Sequence, residues 1–456
     1  MDNFSVALSG LDELGAKVLP GIAQMTHDAR CEVRNASSWI SRAFGTHDDF
    51  TVGAATPTMR PPSMRQLFHQ PGSEIYLSVN YLTRALDDNR ENVELAAQAI
   101  IEIGRRYRQA DGRPDESSPA TGVIDHAPVS RGPSGIDYEA DGQWKRAMGE
   151  HADVLTRLMR EHDDDGIGAA AQLDIRLRRI FDEFASGEDA ATQVMIHHLA
   201  AAQHRLIQDP NELFGAADGC VQEWHGTAAD QFKSYLRQLR DGVSGVLVLD
   251  LAGLDTVLRA HQALISAMRR DVLDLVERTL RGIEAAETDS WKVGASIVGA
   301  LAAIAAGVAA AGPVGPPLLM SLAATLMGAG TSVAIEAKGA DSELGVIVQC
   351  VDAGEAMIHL IDGERAKIEH ALRIVTSSFT GDNLPQIRPD RPLIVTSPDF
   401  RPETFGLTDE TQGRHRKPTD TRDLVPEPTR DANGSFDDRT VGDRVEDRYP
   451  EQGPAA

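Results

Sequence analysis

Three neighbouring histidines, His197, His198 and His204, are the first residues whose type and spacing suggest chemistry, as zinc ligands. A helical zinc site needs two ligands on adjacent turns plus a third, whereas His197 and His204 lie seven apart with no carboxylate between them, so the group is expected to line a solvated helix face. His162-Asp163-Asp164-Asp165-Gly166 suggests a calcium loop, but aligning Gly166 with the loop's central glycine puts Gln172 where a bidentate Glu is required. His225 has no Ser or Cys nucleophile in a recognisable motif beside it, and no nucleophile elbow, phosphate loop or dinucleotide fingerprint occurs. Cys31, Cys220 and Cys350 lie far apart and read as small core residues rather than a disulfide framework or thiolate site. The residues therefore predict no enzyme, no metal and no cofactor.

Composition narrows the class further. The chain has 456 residues, a formal charge of −24 and only 5% aromatics, and its abundant Ala favours helix over sheet. No Lys/Arg stripe is present to neutralise phosphates, which excludes a nucleic-acid partner. The first 30 residues lack a basic start leading into a continuous apolar stretch, so export, where it occurs, is expected without a cleavable general-secretory signal.

The elements that must carry any site are helical. Residues 1–44 predict helix broken near Pro20, with Leu11, Leu14, Val18, Ile22 and Met25 inward, and a second helix from about Ser73 to Ala110 makes an antiparallel hairpin with it. Further helix is expected at 141–161, 168–185, 187–222 (interrupted at Asp209-Pro210), 227–286 with a Gly-containing break near 242–245, and 343–378. A seam of Leu254, Leu258, Ile265, Met268, Val272 and Leu275 marks a long bundled helix. The fold class is thus all-α: helical hairpins and a long-helix bundle, with a disordered C-terminal tail. Its expected segments are a hairpin (1–111), a flexible linker (112–140), a bundle (141–290), a Gly/Ala-rich apolar hairpin (291–338), an amphipathic helix (339–381) and a tail (382–456).

Gly294 to Ile335 carries no charge, and two runs of about 20 residues flank the breaker Gly312 to Pro317. Each is long enough to span a bilayer, but Ala and Gly supply little transfer energy. The 293–336 segment therefore reads either as a close-packed hairpin in a soluble bundle or as a membrane-contacting one.

Three short motifs stand at helix ends. Trp224-His225-Gly226 separates two amphipathic segments, with Phe232, Tyr235, Leu236 and Leu239 following at helical spacing; Gly allows a tight turn that the indole covers. Tyr107-Arg108-Gln109-Ala110-Asp111 closes an earlier helix, and Ala43-Phe44-Gly45 ends the first one. The Trp-x-Gly segment, about 187–287, resembles the WXG-motif superfamily of helical hairpins exported by the type VII (ESX) secretion systems of actinobacteria. The first 111 residues are similar to its EspC-like group.

That resemblance implies a non-catalytic protein, secreted or envelope-associated, that acts by protein–protein interaction. It implies Tyr107 and Asp111 as the secretion signal, with Trp224, Gly226, Phe44 and Gly45 shaping hairpin turns. Implied partners are the type VII secretion ATPase and a small WXG-type helical partner or dedicated chaperone. Because both half-signals lie on one chain, a fused pseudo-dimer with Trp224 approaching Tyr107 is expected. The alternative function is a membrane-inserting or pore-forming effector that uses the 293–336 hairpin.

Overall fold

Thirteen helices and one two-stranded ribbon make up the described part of the chain, and sequence periodicity locates nearly all of the helices. A computed structural model describes residues 8–44, 69–110, 135–161, 167–208, 210–285, 289–310, 317–327, 335–379, 389–392 and 395. These belong to one compact unit. The calcium-loop residues 162–166, the linker residues 112–134 and most of the 382–456 tail lie outside the described residues.

The first helix is unbroken at Pro20. Helix α1 (Leu8–Glu13) passes through a π-helical turn (Leu14–Val18) into α2 (Leu19–Ser37), and Leu19 N–H reaches back to Leu14 O. Pro20 has no N–H and its ring crowds the preceding turn, which a widened turn relieves. Short α3 (Ile40–Ala43) follows, then α4 (His69–Ala110). Arg108 pairs with Asp12 and Arg30 with Asp87, so α4 runs antiparallel to α1 and α2.

Helices α5 (Tyr138–Glu161) and α6 (Ile167–Phe184) pair antiparallel through Thr156–Asp174 and Arg178–Asp153. The expected 187–222 helix is two, α7 (Asp189–Gln208) and α8 (Pro210–Val221), divided where Pro210 opens a new helix. From α9 (Thr227–Arg240) the chain stays helical through a second π turn (Asp241–Leu247) into α10 (Val248–Ala285), so the expected glycine break is a widening rather than an end. Strand β1 (Trp291–Val293), α11 (Ala295–Ala310), α12 (Pro317–Met327), β2 (Ile335–Ala337) and α13 (Glu343–Ser378) complete the order.

Five long helices close a ring: α2 packs on α4, α4 on α13, α13 on α10, α10 on α7, and α7 back on α2. One continuous apolar cluster fills it and contains every predicted seam residue of α10. Asp250–Ser378 at one level and Gly253 against Val375 at the next fix α10 and α13 antiparallel. By length and composition α13 could cross a membrane, but half of that window is buried against its neighbours, as in a core helix. The apolar α11–α12 hairpin lies outside the ring on α10 and α13.

Two features escaped the sequence pattern. β1 and β2 pair antiparallel, Trp291 opposite Ala337 and Val293 opposite Ile335, closing the base of the apolar hairpin. Within the expected tail, Pro389 O accepts a hydrogen bond from Asn92 Nδ2 at 3.3 Å and Arg391 pairs with Glu91 at 2.8 Å, so this stretch returns to α4.

Candidate functional site

The Trp-x-Gly turn is built from the end of α8 upward. Trp224 N–H bonds Val221 O at 3.0 Å, holding the chain on the helix end, and Asp230 N–H bonds Gly226 O at 3.0 Å to start α9. Gly226 adopts φ 105°, ψ 166°, a backbone region reserved almost wholly for glycine. The indole folds inward, 3% exposed, and stacks on Phe232 with centroids 5.8 Å apart; Phe232 in turn lies 6.0 Å from Tyr235. His225 between them faces solvent.

Lys233 was not singled out by the sequence. It reaches back from α9 to donate to Trp224 O at 2.8 Å and Gln222 O at 3.2 Å, putting positive charge on the carbonyl end of α8. An exposed Arg240–Asp218 pair at 3.0 Å joins the end of α9 to the last turn of α8. The available signal was a lysine six residues into the helix after the turn, which an antiparallel return brings level with the preceding C-terminus. Burial raises the phenol pKa of Tyr235, so this aromatic wall stays uncharged.

Gly226→Ala should cost about 1–3 kcal/mol of stability, because a Cβ is strained at that φ and ψ. Urea unfolding checks this, and a change below about 0.5 kcal/mol would mean that the turn relaxes into another geometry.

Tyr107 sits half-buried on the last turns of α4, packed at the edge of the core, and burial raises its phenol pKa. Next to it the buried Arg108 pairs with Asp12 of α1, and Gly104 lies against Leu11. Helix α1 also touches α8: a Cβ added at Gly10 would come within 3.1 Å of Cys220 O. The helices carrying the two motifs thus share α1 as a neighbour at one end of the bundle. Asp111 and Gly45 lie outside the described residues. Phe44 is far from this end; it follows α3 and stacks on His261 in the core at 4.3 Å.

The histidine triplet separates by environment. His197 is exposed, but His198 is buried and its Nδ1 lies 2.7 Å from Glu32 Oε2 across the α2–α7 contact. This overturns the solvated face expected for it; the cause is Glu32, 166 residues earlier, which pattern reading cannot pair with it. Among the described residues no group of three His, Cys, Asp or Glu side chains is placed to hold a metal ion. The recess between Arg278, Trp291 and Cys350 holds no more than about one water molecule. Burial pushes the Cys350 thiol up to about 11.

In comparisons with known proteins, the chain matches no protein-family model, no curated protein and no solved structure.

Proposed function

We propose that this is a non-catalytic helical protein exported by a type VII (ESX) secretion system, acting in the envelope or outside the cell through protein–protein contacts. The observation that carries the reading is the α8–α9 turn, in which buried Trp224 and positive-φ Gly226 form a tight helix-to-helix connection. Supporting it, α1 links that turn's helix to the end of α4 that bears Tyr107. In this reading Tyr107 and Asp111 are the signal presented to the secretion ATPase, while Trp224 and Gly226 hold the surface beside it. A small WXG-type partner or a dedicated chaperone would bind the same end.

Immunoblots of cell and culture-filtrate fractions test the proposal. Wild type should appear in the filtrate. Tyr107→Ala, Trp224→Ala and a host strain lacking the secretion ATPase should each retain the protein in the cell. Purified Tyr107→Ala should melt within a few degrees of wild type, since its ring is only half-buried, so its loss of export reads the signal rather than the fold. Wild type held inside the cell, or Tyr107→Ala exported normally, would sink the proposal.

A further inference from the structure

We propose that the α11–α12 hairpin is a membrane-inserting element that leaves α10 and α13 and enters the acyl region of a lipid bilayer. A helix that is apolar all round belongs either inside a core or inside a membrane. Neither α11 nor α12 has a charged residue, yet each buries only one side: Ile297, Leu301 and Ala305 on α11, and Leu322, Ala323 and Leu326 on α12. The outward side shows Ala303, Ala306 and Ala310, then Met320, Ala324 and Met327. Neighbouring α10 instead turns Arg259, Glu277 and Arg281 to solvent.

Three further observations select lipid over a second protein. The uncharged run from Gly294 to Ile335 carries α11 and α12, 16 and 11 residues long, which is enough to enter a hydrocarbon layer though shorter than the roughly 20 residues that span one. Exposed Lys292 and Lys338 and half-buried Trp291 stand at the two ends of the run, where interfacial anchors belong. The outward side also lacks any protruding Trp, Tyr or Arg of the kind that anchors a protein interface.

The hairpin is built to move as one piece. Its base is tied by the β1–β2 ribbon, which itself rests on the bundle through Trp291 beneath Arg278 of α10 and through β2 against α13. Gly294, at φ 74°, joins that ribbon to α11 and packs so closely on Leu360 of α13 that a Cβ would collide with it; in the proposed movement its backbone freedom lets the hairpin turn there. Asp271 of α10 pins the α11 N-terminus, accepting from Ser296 N–H at 3.2 Å and Ile297 N–H at 2.9 Å. In the bilayer the inner Leu and Ile side chains stay covered, while the outward Ala and Met side chains lose their contact with water.

Flotation of the purified full-length chain with phosphatidylcholine vesicles tests this; neutral lipid avoids repulsion of a protein with net charge −24. Wild type should float. Ala303→Glu with Ala306→Glu, both at exposed positions, should lower the floating fraction at least tenfold with unchanged helicity and melting. Met327→Lys repeats the test independently on α12. Asp271→Ala, which removes the pin, should raise the floating fraction several-fold.

Wild type remaining at the bottom of the gradient overturns the proposal, as does equal flotation of the Glu variant. Asp271→Ala floating no better than wild type also overturns it, because the hairpin then need not leave α10. A wild-type dimer in solution that the Glu variant dissociates, without flotation, assigns the surface to a second copy of the chain instead. None of these outcomes depends on whether the protein is exported by type VII secretion.

Discussion

Replacing Asp141 with Ala is expected to lower the unfolding free energy by about 3–5 kcal/mol, the cost of leaving a buried charge without its partner. Asp141 is 4% exposed and stands in the first turn of α5, where three elements meet. Its Oδ1 accepts from Asp189 N–H at 3.1 Å and from Arg269 Nη2 at 2.5 Å, and its Oδ2 accepts from Ala190 N–H at 2.9 Å. One carboxylate therefore caps the N-terminus of α7 and neutralises a cation from the middle of α10.

Without it, Arg269 keeps only Gly187 O at 3.4 Å and the face of Trp144, 5.3 Å from its guanidinium carbon. Asp141→Asn retains an acceptor but no charge and should fall between wild type and Ala. Arg269→Ala should cost less than Asp141→Ala, because the carboxylate still holds two backbone N–H groups. Urea unfolding of the two single variants and the double gives the coupling energy. A loss below about 1 kcal/mol for Asp141→Ala would show that α7 and Arg269 find other partners and that this junction does not hold α5, α7 and α10 together.

That junction shows where sequence legibility ends. The seam of α10 was readable because its apolar residues recur every three or four positions, and burial follows from that spacing alone. The turn at Trp224 was readable because Gly226 is needed locally and Phe232 follows one helical turn into α9. Asp141 carries no comparable signal, since its cation lies 128 residues away in the chain. Glu32 and His198 are a second such pair, and only closure of the five-helix ring brings them together. The π turns follow the same logic. Pro20 announces a disturbance, but whether a helix ends there or widens depends on the packing of Leu14 and Val18, both buried. At the candidate site the motif residues were legible one by one, whereas the role of α1 as a neighbour to both helices was not.

Two buried ionisable groups facing opposite ways should give the largest pH effect, and each should conceal the other. Asp250 is 1% exposed, and burial pushes its pKa up from 3.8 to about 6. Ser378 Oγ sits 2.6 Å from Asp250 Oδ1 and also 2.6 Å from Val375 O. A hydroxyl has one proton, so both contacts are satisfied together when the protonated carboxyl donates to Oγ and the hydroxyl donates to Val375 O. His261 is 0% exposed, stacked on Phe44, with Nε2 3.3 Å from Ala43 O; burial lowers its pKa from 6.5 to about 4.

The signs are opposite. As pH falls below about 6, folded Asp250 takes a proton that the unfolded chain does not take until near 3.8, so stability rises. Below 6.5 the unfolded chain protonates its histidine while the fold refuses the proton down to about 4, so stability falls. Each group contributes about 3 kcal/mol across its window, and between pH 4 and 6 the two slopes nearly cancel. Asp250→Asn should therefore be more stable than wild type at pH 7, lose that advantage by pH 4, and show the histidine's acid sensitivity uncovered. His261→Gln, which keeps a donor for Ala43 O without titrating, should instead gain on wild type by about 3 kcal/mol as pH drops from 6.5 to 4. Urea unfolding of wild type and both variants at pH 7, 5.5 and 4 reads the differences directly, and contributions from every other titrating group cancel in them. Curves for Asp250→Asn and wild type that run parallel over this range would mean that Asp250 titrates as an exposed carboxylate, so that the α10–α13 contact at Ser378 admits water.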